Sequence, residues 1–223
     1  IHQAKNPWEA SGASEDWLSA LNSFTWLRDL RALGGQQAVD KARTLTQDWA
    51  ERNRGPNALS HQGHGWKPSV IGRRLTAWAS NWHALFESAE LTYRHKLLAS
   101  MGRQLRHLQR VAPFSESGTE RLAAIKGWVI GSLMLRQEGG GLPAAFTALE
   151  RELALQVNPD GGHISRSPET QLTLLRDLLD LRRACHATGE EPPLALQTAI
   201  DRMTPFLRLL RHGDGALALF NGG

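Results

Sequence analysis

The chain has 223 residues, 41% hydrophobic and 22% charged, which fits one large or two small globular domains with a real core. Its 26 basic and 22 acidic side chains leave a formal charge of +4, too small an excess to name a polyanionic partner. The longest apolar runs are a few residues, which excludes a bilayer-spanning helix, and a single cysteine, Cys185, excludes an intramolecular disulfide framework. Ile1 to Gly12 carry no apolar signal core and no initiator Met, so the true N-terminus reads as missing, and the abrupt stop at Phe220-Asn221-Gly222-Gly223 reads as the end of a fragment.

Helical periodicity dominates from there on. Trp17, Leu21, Phe24 and Leu27 predict a helix near 14–33, and Val39, Ala42, Leu45 and Trp49 another near 36–53. The stretch Asn53 to Pro68 is the longest irregular segment and reads as a functional or disordered loop. Ile71, Leu75, Trp78, Trp82 and Leu85 predict a third helix near 69–87, and Leu98, Met101, Leu105 and Leu108 a fourth near 90–111. Further helices are predicted near 119–137, 142–157, 168–187 and 194–211, each on an apolar stripe. Gly34-Gly35, Pro113 and Gly139-Gly140-Gly141 punctuate them, and Ser167-Pro168 and Pro192-Pro193 read as helix starts. Cys185 falls among apolar helix positions and reads as a buried, inert thiol. Only Ala216 to Phe220 alternates like a strand, and no fixed-period repeat is evident. Short links between helices of similar length imply antiparallel neighbours, hence an all-α domain as a bundle, a solenoid or a ring of hairpins.

Four clusters could carry chemistry. In Asn158-Pro-Asp-Gly-Gly-His-Ile-Ser-Arg-Ser-Pro168, the Asp160-Gly161 turn would project His163, Ser165 and Arg166 toward a helix N-terminus suited to an anion. The same residues also fit a plain helix–helix turn with Asp160 bonded to backbone and Arg166 solvated. Arg74, Trp78 and Trp82 recur at i,i+4 and could stack and pair with an acidic sugar; the tryptophans equally fit the core stripe. His61-Gln-Gly-His64 lacks a third ligand nearby, so no metal is expected. Arg94, Lys96, Arg103, Arg106 and Arg110 form a basic stripe with no interleaved aromatic, which reads as a solvated face rather than a nucleic-acid site.

Phe24 to Arg31, Trp66 to Trp82, Gln156 to Pro168, Ile200 to Met203 and Arg211 to Asn221 together resemble heparinase II/III-like proteins, in order and over nearly the whole chain. The resemblance implies an (α/α) toroid of antiparallel helical hairpins, incomplete here, spanning 1–223 as one domain. It also implies a C-terminal β-sandwich domain beyond this chain, with the active site between the two. The implied reaction is β-elimination on a uronic-acid polysaccharide, with no cofactor, no membrane and no nucleic acid. It needs a carboxylate neutraliser, a base that is usually Tyr or His, and an acid for the leaving oxygen. The sequence departs from the pattern twice. The Asn-His pair typical of such lyases is replaced by Glu120 to Gly127, and the Tyr-His following the Asp-Gly-Gly segment by Thr170-Gln171. The sole tyrosine, Tyr93, lies on another helix. The candidate catalytic residues are therefore His163, Arg166 and His212, with Arg74, Trp78, Trp82, Asp160 and Ser165 as candidate substrate contacts. The alternative is a non-catalytic helical module that binds an acidic glycan or a protein partner.

Overall fold

The computed structural model describes residues 7–9, 12–56, 60–136 and 141–221; the side chains of Glu9 and of residues 60–62 are outside that description. The expected stop at Gly139-Gly140 and the side chain of His61 therefore lie outside the described residues. The helices are α1 (Glu15–Ser23), α2 (Leu27–Leu33), α3 (Gly35–Arg52), α4 (Pro68–Ser80), α5 (Trp82–Phe86), α6 (Leu91–Val111), α7 (Thr119–Leu135), α8 (Gly141–Gln156), α9 (Pro168–Thr188) and α10 (Leu194–Leu209). Short 3-10 turns occupy Pro7–Glu9, Ser60–Trp66 and Ala112–Phe114.

Two expected helices are each broken in two. Phe24 adopts a left-handed conformation (φ 59°) and ends α1, because its ring turns into the core instead of continuing the helix stripe. It meets Trp8, Trp26, Trp49 and Trp78 at centroid distances of 5.0–5.8 Å. Asn81 breaks the third, its side-chain amide donating to the Ala77 carbonyl at 2.8 Å. Other boundaries follow the sequence signals. Ser167 caps α9 by accepting from Thr170 N–H at 3.2 Å, with Pro168 in the first turn. The short alternating segment Ala216 to Phe220 forms no strand; Leu217 makes an isolated bridge to Arg211.

The helices alternate between two layers. α1, α4, α7 and α9 pack side by side in one layer, and α3, α6, α8 and α10 cover them, with the pairs α4/α6, α7/α8 and α9/α10 in contact. This is the hairpin arrangement of an (α/α) toroid. α7 is surrounded by α4, α6, α8 and α9, and every residue from Leu122 to Leu133 is buried. Its contact with α4 is made by backbone. A Cβ at Gly72 would lie 2.0 Å from the Ala123 carbonyl oxygen, and one at Gly127 would lie 2.2 Å from the Gly72 Cα. Gly131 meets Leu75 farther along both helices, so the two run parallel.

Arg74, two residues from Gly72 and on the opposite side of the helix, is fully buried. Its Nε donates to Gln104 Oε1 at 2.7 Å, and its two Nη atoms donate to the carbonyls of Asn22 (2.7 Å) and Gly65 (2.8 Å). The guanidinium lies 3.8 Å from the Trp49 ring centroid. No carboxylate meets it among the described residues, and burial pulls its pKa well below the usual arginine value. Trp78, beside it, is also fully buried, and Trp82 stacks on Phe86 at 3.9 Å. Arg74 and Trp78 are thus core residues rather than cleft residues. They fall on the α4 face turned toward α1 and α3, where the i,i+4 stripe served packing.

Gly127→Ala should cost about 3 kcal/mol or more, since backbone and not a movable side chain blocks the new methyl. Gly131→Ala, which meets only Leu side-chain ends at 3.1 Å and beyond, should change stability by less than about 1 kcal/mol. Arg74→Met should cost about 3 kcal/mol by leaving three buried acceptors without donors. Urea unfolding monitored by circular dichroism measures all three.

Candidate functional site

The turn joining α8 to α9 is built by its own short-range bonds. Asn158 N–H donates to the Gly162 carbonyl and Gly161 N–H to the Asn158 carbonyl, both at 2.9 Å. Asp160 Oδ1 accepts from Gly162 N–H at 2.9 Å, and Asp160 Oδ2 accepts from Arg166 Nη1 at 2.7 Å. The Arg166 bond, then the Gly162 N–H, lower the Asp160 pKa. Gly161 is required twice: its φ is 84°, and a Cβ would lie 2.0 Å from the Arg202 carbonyl oxygen on α10.

His163 faces inward and is 4% exposed. Gln156 donates its amide N–H to Glu152 Oε1 at 2.5 Å, so the Gln156 carbonyl oxygen must accept from His163 Nε2–H at 3.0 Å. His163 Nδ1 is then the acceptor, taking the Ser165 hydroxyl at 2.8 Å and the Ser165 N–H at 3.1 Å. Glu152 passes the chain on to Arg121 at 3.3 Å. Gln171 locks the turn from α9, accepting from His163 N–H at 2.7 Å and donating to the Gly161 carbonyl at 2.9 Å. Both imidazole nitrogens are occupied in the neutral form, and burial lowers the pKa. The histidine expected to bind or neutralise an acidic group is instead the buried pin of a helix–helix turn.

Asp160, Ser165, Arg166 and His212 are exposed. The structure joins the first three to His163 in one turn. His212 sits in a second turn of the same build, 54 residues on. There His212 N–H donates to the Ala216 carbonyl (2.8 Å), Gly215 N–H donates to the His212 carbonyl (2.9 Å), and Asp214 Oδ1 accepts from Ala216 N–H (2.9 Å). Gly215 has φ 87°, matching Gly161. Asn221, beyond this turn, donates its amide to the Arg166 carbonyl at 3.3 Å, so the two turns adjoin. The repeat is structural: only Asp-Gly is common to the two sequences at equivalent positions.

A groove of about 510 Å³ runs along the α4–α7–α9 layer, walled by Arg28, Arg31, Arg73, Lys126, Asp177 and Asp180. A second hollow of about 230 Å³, lined by Trp17, Trp26 and Asp29, shares Thr25 and Arg28 with it. Lys126 is pinned between Asp177 (2.6 Å) and Asp180 (3.0 Å), and Arg73 pairs with Glu120. Arg31 donates to the Ser80 carbonyl at 3.1 Å, and Arg28 stands in solvent with, among the described residues, only the exposed Asp29 beside it at 3.4 Å. Trp17 is 43% exposed. Periodicity assigned Trp17 to the core stripe, and Arg28, Arg31 and Trp26 stood out only as part of the Phe24 to Arg31 block. Tyr93 is buried, which pushes its phenol pKa up. Among the described residues no cluster of His, Cys, Asp or Glu could hold a metal, and no helix is long and apolar enough to cross a membrane.

Residues 9–221 match the family described as Heparinase II/III N-terminus. FtsZ-localized protein C of Caulobacter vibrioides (strain NA1000 / CB15N) is 35% identical over 219 residues, covering 98% of this chain and 37% of that protein. Among solved structures, heparan sulfate lyase HepC from Pedobacter heparinus superposes with a TM-score of 0.72 at 17% identity, over 94% of this chain and 34% of that one. A heparinase III, the BT4657 gene product, gives 0.69 at 15% identity, over 93% of this chain and 37% of that one. At these identities the two lyases share the fold. The chain spans little more than a third of the length of each of these proteins.

The His163 arrangement has a pH signature. Its folded pKa lies below the unfolded value of about 6.5, so its contribution to stability is complete above that pH and is lost as the pH falls through the folded pKa. His163→Gln should be less stable than the parent at neutral pH by about 1–3 kcal/mol. The difference should shrink below about pH 6.5, with a slope of at most about 1.4 kcal/mol per pH unit. Urea midpoints of both proteins from pH 8 to pH 5, subtracted, test this; a constant difference would contradict it.

Proposed function

The chain belongs to the heparinase II/III N-terminal family, and from that membership we propose that it is a helical module that binds an acidic polysaccharide along the α4–α7–α9 groove without supplying the base of an elimination. The observation that carries this reading is the pairing of Arg28 and Arg31, at the α2 end of the groove, with the adjoining Trp17–Trp26 hollow. Guanidinium forks suit uronate carboxylates and sulfates, and an exposed indole face suits the apolar face of a pyranose.

β-Elimination asks for more. A base must remove the proton α to the uronate carboxylate, a positive or hydrogen-bonding group must hold the charge that develops there, and an acid must protonate the departing glycosidic oxygen. Of the residues of the right type for the base, His163 has both nitrogens engaged and Tyr93 is buried with its pKa raised, which leaves His212 as the exposed one among the catalytic candidates. Arg166 and His212, exposed on adjoining turns, are what this chain could offer to a reacting centre. In a longer protein, a β-sandwich domain against those turns would have to bring the base. The Caulobacter relative is named for localisation with FtsZ and not for turnover, which fits a binding role.

Isothermal titration of residues 1–223 with size-defined heparin, alginate and chondroitin oligosaccharides tests the reading. Saturable binding is expected for at least one of them and none for neutral dextran. The double variant Arg28→Ala/Arg31→Ala should bind at least about tenfold more weakly, the loss of about 1.5–3 kcal/mol typical of a charged hydrogen bond. The absorbance of unsaturated uronate should stay flat throughout. Absence of binding to every uronate polymer, or robust turnover by this chain, would overturn the proposal.

A further inference from the structure

Asn81 ends α4 and opens α5. Its backbone N–H and its side-chain Nδ2 both donate to the Ala77 carbonyl, at 3.1 Å and 2.8 Å. The second bond fixes the amide, because Oδ1 in that place would set oxygen against oxygen. Oδ1 therefore points the other way. An Asn that opens a helix ordinarily uses this oxygen to accept a backbone N–H, yet Asn81 makes no such bond to α5. The residue is 6% exposed, and its Oδ1 is buried with no donor among the described residues. Such an atom is uncommon in a folded protein, since burial removes its water without supplying a partner.

Two hollows meet at this residue. Asn81 and Arg31 stand in the wall of the α4–α7–α9 groove, and both also stand in the wall of a smaller hollow of about 100 Å³ between α2, α3 and α5. Arg31 Nη1 donates to the Ser80 carbonyl at 3.1 Å, which sets the guanidinium against the peptide that joins Ser80 to Asn81. Away from these two residues the smaller hollow is walled by hydrocarbon, chiefly Leu27, Leu30, Val39 and Leu85. Where it meets the groove it thus presents one unmet acceptor and one guanidinium, with an apolar space behind them. We propose that this hollow is a subsite for the acetamido group of an N-acetylhexosamine. The acetamido N–H donates to Asn81 Oδ1, its carbonyl oxygen accepts from Arg31, and its methyl enters the apolar space. A hydroxyl would leave that space unfilled, and an N-sulfo group would set a charge against it. The inference rests on the reading of the groove as a site for an acidic polysaccharide and names its class: a polymer in which uronate neighbours an N-acetylated hexosamine.

Isothermal titration of residues 1–223 with three octasaccharides tests the subsite. Hyaluronan alternates glucuronate with N-acetylglucosamine; its N-deacetylated and N-formylated form lacks only the methyl groups; alginate is a uronate polymer with no acetamido group. Hyaluronan should bind most tightly, and the N-formyl chain about fourfold more weakly, the effect of one buried methyl. Ala38→Leu adds carbon to the hollow from its α3 wall and should bring hyaluronan down to the N-formyl level. Asn81→Ala should narrow the gap between hyaluronan and alginate severalfold; if circular dichroism shows that it fails to fold, Ala38→Leu decides. Equal affinity for the N-acetyl and N-formyl chains, or a preference that survives Ala38→Leu, would overturn the subsite and leave the reading of the groove standing. No binding of any of the three would overturn both.

Discussion

The buried guanidinium of Arg74 fixes the centre of this fold. Taking a cation out of water is tolerable only if its donors are met, and here three acceptors come from three places: the end of α1, the 3-10 turn before α4, and Gln104 on α6. None carries a formal charge, so the dipoles of two carbonyls and an amide, with the Trp49 face below, replace hydration. This arrangement sets the depth and rotation of α4. Two residues earlier, on the opposite side of the helix, Gly72 must then meet Gly127, and the backbones of α4 and α7 touch. Arg74 and Gly72 act on one helix from opposite sides.

That contact sets where the groove can be. With α4 and α7 pressed together, side chains at their common edge have no room to interdigitate and turn outward. Arg73, Thr76, Leu122 and Lys126 line the groove for this reason. The ion pairs there hold the walls in register: Arg73 with Glu120 links α4 to α7, and Lys126 with Asp177 and Asp180 links α7 to α9. Their charges are spent on each other. The less committed cations lie at the α2 end, beside the exposed tryptophan, so the groove is polar along its length but asymmetric in what it can attract.

Much of the fold was legible in the sequence because helical burial is periodic. The α9 start at Ser167-Pro168 and the stripes of α6, α7 and α10 needed only spacing and capping chemistry. What periodicity could not reveal is which side of a stripe faces outward or where a helix must bend. Trp17 and Trp78 both fall on helical stripes, yet one is exposed and the other has no exposure at all. Phe24 keeps the spacing of a continuing helix while its backbone turns left-handed to bring the ring inward. The groove was less legible still, since its wall draws on α2, α4, α7 and α9, which only tertiary packing assembles.

The Asp-Gly-Gly-His segment shows why a motif can be right about the fold and mute about the reaction. Its conformation is demanded by packing: Gly161 by the Arg202 carbonyl, Gly162 by Phe206 and the Arg166 side chain, His163 by Gln156. Gln171, just beyond the segment, spends its amide closing the turn through His163 N–H and the Gly161 carbonyl. The turn at Arg211 to Leu217 keeps the hydrogen bonds and the Asp-Gly pair yet has Leu217 in place of His163. Since the same backbone turn forms with leucine at that position, the turn does not require histidine, and a residue dispensable for shape would ordinarily suggest chemistry. At residue 163 the surrounding partners answer otherwise: Glu152 and Gln156 are buried polar groups on α8, and histidine is there to meet them. The motif therefore marks how the α8–α9 hairpin closes, and recognition of a ligand falls to the surface that the closed hairpins assemble.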